Sequence, residues 1–85
     1  MSKKSITVDT DMIERRREKL MRSLLQDFTA TRLAQELSQG DVGKRCGMSI
    51  PEVSRFENGT DRNPTMKMLI KVAAALGKQV KITIE

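Results

Sequence analysis

The chain has 85 residues, 38% of them apolar, with two phenylalanines and no tryptophan or tyrosine, which is one domain's worth near the lower limit for a self-sufficient core. Its net charge of +5, with a pI of about 9.8, favours an anionic partner or a soluble basic surface. Cys46 is the single cysteine and histidine is absent, so an intrachain disulfide, Cys/His zinc sites and His-based catalysis are excluded, and no metal or other cofactor is expected.

A lone thiol fits a reducing cytoplasm, and no apolar run approaches the roughly 20 residues needed to cross a bilayer. Ser5-Ile6-Thr7-Val8 alternates polar and apolar residues and reads as a very short strand or an ordered arm. Asp9 then offers a helix N-cap, and helical character continues to Glu36. Ile13, Leu20, Leu24 and Phe28 draw one apolar stripe, with Arg15, Arg16, Lys19 and Arg22 mostly off it. Helix propensity drops around Asp27-Phe28-Thr29, so two helices with a bend are an alternative to one long helix.

Ser38 with Asp41 three positions on is a capping-box variant, and Gly47 stops the helix it opens within about two turns. Ser49-Ile50-Pro51-Glu52 repeats the start signal, with Pro51 in the first turn where its missing N–H costs little. That helix runs to about Glu57 and closes on Asn58-Gly59, a left-handed turn signal. After a polar loop, Thr65 caps a helix whose Met66, Leu69, Val72, Ala73 and Leu76 share a face, with Gly77 just past its end. The tail Val80-Lys81-Ile82-Thr83-Ile84 alternates strictly and predicts a strand that buries Val80, Ile82 and Ile84.

Two short capped helices around a glycine-containing turn are the sequence form of a helix-turn-helix. Close crossing needs a tiny residue on the first helix, Gly43, and the turn needs a residue that accepts positive φ, Gly47. Val42, Cys46, Met48, Val53 and Phe56 supply apolar contacts in register, which makes Cys46 a packed structural thiol.

The segment from Leu37 to Gly59, followed by Asn63-Pro64-Thr65 and Leu69 to Gly77, resembles the Cro and phage-repressor (XRE) helix-turn-helix family over roughly residues 26–77. The resemblance implies an all-α, lambda-repressor-like domain; the alternating tail adds a short C-terminal β-strand. It implies that Gln39 bonds a DNA phosphate and that Ser49, Ile50, Pro51, Glu52, Ser54 and Arg55 face the major groove. It also implies that Arg32 pairs with Glu57, and that Asn58, Gly59 and the loop to Arg62 approach the DNA backbone. Lys44, Arg45 and Arg62 are further phosphate candidates, each against the alternative of a solvated face.

An arginine grips guanine O6 and N7 with two bonds, so Arg55 is the direct reader, with a phosphate contact as its alternative. Ile50 reads equally as a thymine-methyl contact or as a residue closing the helix start, and Glu52 more readily as a cap than as a cytosine reader. Gly43 stands where this family usually has alanine, which implies a slightly loosened supporting helix. Ile50-Pro51 occupies positions where polar readers often sit.

The organisation expected is an N-terminal arm and basic helical extension (1–25), a DNA-binding domain (26–77) and a dimerisation strand (78–85). Two tails paired across a dyad, as in HipB-like antitoxins of this family, would set two recognition helices about one DNA turn apart on a palindromic operator. The function expected is a homodimeric transcriptional repressor, with a lean to an antitoxin that binds a toxin protein and represses its own operon. A phage or controller-type repressor without a toxin partner is the alternative within the class, and a protein-interaction adaptor the alternative outside it. No catalytic constellation is visible.

Overall fold

The computed structural model describes residues 5–61 and 63–85. It contains four helices: α1 (Thr10–Ala34), α2 (Gln39–Cys46), α3 (Ile50–Glu57) and α4 (Met66–Ala75). Each begins on a local cap. The Asp9 carboxylate accepts from the Asp11 N–H and the Thr65 hydroxyl from the Met68 N–H, while Ser38–Asp41 and Ser49–Glu52 each close a reciprocal capping box.

Each helix also ends on a left-handed residue, which lets the following N–H groups reach back to orphan carbonyls. Gly47, Gly59 and Gly77 serve α2, α3 and α4. At the end of α1 the left-handed residue is Glu36, at φ 58°. Its N–H bonds to the Leu33 carbonyl and that of Leu37 to the Arg32 carbonyl, so the turn closes in spite of the side chain.

The core lies under the second half of α1, where Leu25 and Phe28 meet Val42, Met48, Val53, Phe56, Leu69, Val72, Ala73, Ala75 and Leu76. The rings of Phe28 and Phe56 stand edge to face at 5.3 Å. That contact explains why α1 continues unbroken through Asp27-Phe28-Thr29, where low propensity had allowed a bend. Burial of Phe28 outweighs a deficit of a few tenths of a kcal/mol per residue. Only the lower part of the predicted apolar stripe is covered: Leu24 is half-buried and Phe28 buried, but Ile13 and Leu20 are exposed. Met66, expected on the buried face of α4, is exposed as well, while Met68 packs against the core.

No β-strand forms among the described residues, and both strand expectations are corrected. Residues 5–9 lead irregularly into α1, with Ile6 and Val8 exposed. In the tail Val80 packs on the core, but Ile82 and Ile84 are 66% and 96% exposed rather than buried. Alternation marks which side chains would share a face, but a strand also needs a neighbour to accept its N–H groups, and the described residues offer none.

Gly43 is crowded. A Cβ there would collide with the Met48 carbonyl oxygen and would stand 3.3 Å from the Met48 carbonyl carbon and 3.6 Å from Val53 Cγ2. The glycine is therefore what lets α2 come down on the turn before α3. The expectation that it merely loosens the helix gives way to a steric requirement for it.

Candidate nucleic-acid interface

The site grows from the way α3 is held. Val53 and Phe56 are fully enclosed and fix one side of the helix against the core. At about 100° per residue, the opposite side carries Pro51 and Asn58, with Ser54 and Arg55 flanking them. Pro51, Arg55 and Asn58 are exposed and Ser54 is half-buried, its hydroxyl accepting from Asn58 Nδ2 at 3.3 Å.

The C-terminal end of α3 is clamped. Arg32 lays a two-pronged ion pair on Glu57, Nε to Oε2 at 2.7 Å and Nη2 to Oε1 at 3.0 Å. Its third nitrogen donates to the Leu37 carbonyl at 2.9 Å. Both side chains are nearly enclosed, at 11% and 7% exposure. Hydrogen bonding to Glu57 raises the Arg32 pKa still further against the opposing effect of burial, so the arginine stays charged. Gln39 joins the clamp through Nε2, which donates to Glu57 Oε1 at 3.2 Å. One carboxylate thus ties α1, the first turn of α2 and the end of α3.

The N-terminal turns of α2 and α3 adjoin. A Cβ at Gly40 would stand 3.4 Å from Ile50 Cδ1, so Ile50 lies over the start of α2 while remaining 58% exposed. Ser49 and Glu52 are exposed but engaged with one another: Glu52 Oε1 accepts from the Ser49 N–H at 3.0 Å, and the Ser49 hydroxyl from the Glu52 N–H at 3.2 Å. Those bonds, with the nearby charges of Arg55 and Lys71, hold the Glu52 carboxyl below the usual carboxylate range. Asp41 is held low in the same way by the Ser38 N–H and hydroxyl.

Other candidates fall elsewhere. Lys44 is exposed on α2. Arg45 is also exposed but turns one guanidinium N–H to the Ala75 carbonyl at 2.9 Å, and Gln35 Nε2 donates to the Leu76 carbonyl at 2.8 Å. These two side chains satisfy the last carbonyls of α4, where a cation is also favoured by the helix dipole. Nothing local in the sequence signals those bonds, because their partners lie 30 and 41 residues away. Lys71, whose charge reaches Glu52, lies in the segment that resembles the family but had no role assigned from it. Arg62 lies outside the described residues. Cys46 is half-buried, its thiol donating to the Val42 carbonyl at 3.2 Å. In the tail, Val80 borders a groove with Leu24 and Phe28, and Ile82 and Ile84 are exposed.

Among the described residues no cluster of three or more His, Cys, Asp or Glu could hold a metal ion, and no helix is long and apolar enough to cross a membrane. Residues 30–81 match a protein-family model described as helix-turn-helix. No curated protein and no solved structure matches the chain.

Proposed function

The chain belongs to the helix-turn-helix family, and from that premise we propose that it represses transcription as a homodimer on a palindromic operator. Membership makes it a DNA-binding regulator and not an enzyme. The observation that carries the proposal is the outward side of α3, where Arg55 is exposed with Pro51 and Asn58, turned away from the core that encloses Val53 and Phe56.

Set in a major groove, Arg55 reads guanine through O6 and N7. Ile50 and Pro51 offer apolar contact to a thymine methyl, and Ser49 and Ser54 flank them. Glu52 acts mainly through its cap, which fixes the entry of α3. Gln39 uses one amide hydrogen on Glu57 and keeps the other for a phosphate, so the clamp orients the anchor. Lys44, Asn58 and Arg62 add backbone contacts; Arg45 contributes with what its bond to α4 leaves free. Residues 26–77 form the reading unit, and the apolar tail from residue 78 supports association with a second copy.

The test is binding to an operator selected from random sequence. Arg55→Ala is expected to cost about 1–3 kcal/mol there and to relax preference at one base pair. Equal loss on random DNA would make Arg55 a phosphate contact. A binding constant indifferent to salt, or unchanged in Arg55→Ala, would instead point to an adaptor and sink the repressor reading. The finer form, an antitoxin repressing its own operon, is favoured by the apolar Ile82 and Ile84 left exposed in the tail. It requires co-purification with the product of an adjacent gene, and a chain that copurifies with nothing is the stand-alone repressor.

A further inference from the structure

The first half of α1 is a projecting arm. Thr10–Leu20 is exposed throughout except for Arg17, which pairs with Glu14 and reaches Asn63. A helical stretch this short is marginal without tertiary support. Yet it carries Ile13 and Leu20, the latter 64% exposed, within about 40° of half-buried Leu24 around the helix.

That stripe runs straight into a groove beside the second half of α1, lined by Leu24, Phe28 and Thr31 of the helix, by Leu76 and by Val80 of the tail. Arm and groove therefore lie on one flank of one helix, an apolar projection above and, below, a recess with apolar walls whose lining also carries the charged Asp27, Lys78 and Lys81. A surface of this kind is self-complementary under a two-fold axis placed between Leu20 and Leu24. With the helices antiparallel, Leu20 of one copy meets Leu24 of the other, and Ile13 falls opposite Thr31, at the groove.

The charges select the same arrangement. Arg16 and Asp27 are both exposed and share one edge of the stripe, at nearly equal distances on either side of its midpoint. Antiparallel pairing juxtaposes like edges, so Arg16 of each copy meets Asp27 of the other. Parallel pairing would set Ile13 against Ile13 and leave both grooves empty.

We propose that two copies of this chain pair through antiparallel α1 helices, the projecting half of each lying along the other's second half with Ile13 seated in the groove beside Phe28 and Thr31. The pairing rests on the homodimer reading above and assigns its central contact to α1, with Val80 of the tail as part of the groove wall. The arm is thereby a reciprocal clasp.

Sedimentation of the full chain and its variants decides the matter. Leu20→Lys, at a position exposed in the monomer, is expected to weaken self-association about a hundredfold, since each dimer loses two buried leucines. Its helix content and thermal unfolding at concentrations where both chains are monomeric should stay unchanged. Arg16→Asp and Asp27→Arg should each weaken the dimer, and the double variant should recover it, which only antiparallel contact explains.

A wild-type chain that stays monomeric, a Leu20→Lys chain that dimerises normally, or a double variant that fails to recover would each overturn the proposal. So would loss of the dimer in Ile82→Lys/Ile84→Lys alone, which would give the contact to the tail. A Leu20→Lys monomer that is destabilised would mean that the chain's own tail covers the stripe, and overturns it too. Half-site DNA binding separates the two readings: monomeric Leu20→Lys should retain it, whereas a wild-type dimer that binds no DNA would sink the repressor reading and leave the clasp standing.

Discussion

Replacing Gly43 with alanine tests the approach of α2 to the turn that precedes the recognition helix. In an open helix interior the change would stabilise by about 0.8–1.0 kcal/mol through helix propensity. Here the new methyl meets the Met48 carbonyl oxygen, a backbone atom that cannot swing aside as a side-chain tip would. The turn is also strapped to α2 by the Met48 N–H, which bonds to the Gly43 carbonyl at 2.9 Å, and Val53 behind it is enclosed. Overpacking of a core typically costs about 1–3 kcal/mol, and a rigid backbone obstacle belongs at the upper end. After the propensity gain, a net loss of about 2 kcal/mol is expected, or roughly 8–16 °C in Tm for a domain this size. Thermal and urea unfolding followed by circular dichroism measure it. Operator affinity should also fall at temperatures where the variant is still folded, because α3 must shift to make room. An unchanged or raised Tm would refute the steric argument and restore the view of Gly43 as a merely loosening residue.

Arg32→Ala leaves the enclosed Glu57 carboxylate with only Gln39 and should destabilise the fold by about 3 kcal/mol, read by urea unfolding. Glu36→Gly should stabilise it by about 1 kcal/mol, because glycine adopts the left-handed end of α1 without the steric cost that glutamate bears; a lower urea midpoint would contradict this. Folding lowers the pKa of both Asp41 and Glu52, so the stability they contribute is complete above the usual carboxylate range and is lost as pH falls through their depressed folded values. Asp41→Asn/Glu52→Gln should flatten that acid dependence, as unfolding midpoints across an acid titration would show.

What the sequence by itself determined is what physics settles within a helical turn or so. The caps at Asp9, Ser38, Ser49 and Thr65 and the left-handed stops at Gly47, Gly59 and Gly77 are bonds or torsions among residues at most five apart, and all seven are where their spacing requires. The helix-turn-helix followed from them, because two short helices bounded so closely have few ways to cross. The Arg32–Glu57 clamp was legible only through family resemblance, since 25 residues separate its partners.

Tertiary structure alone decided the rest. The apolar period of α1 is the same from Ile13 to Phe28, but only the end that meets α3 is covered, and periodicity carries no record of where the neighbouring helix stops. The tail alternates as a strand should, yet a strand is a relation between two segments, and among the described residues Val80 packs on the core while Ile82 and Ile84 stay exposed. Arg45 shows the converse: its charge was plain, but its direction toward the end of α4 depended on where a helix 30 residues later came to rest.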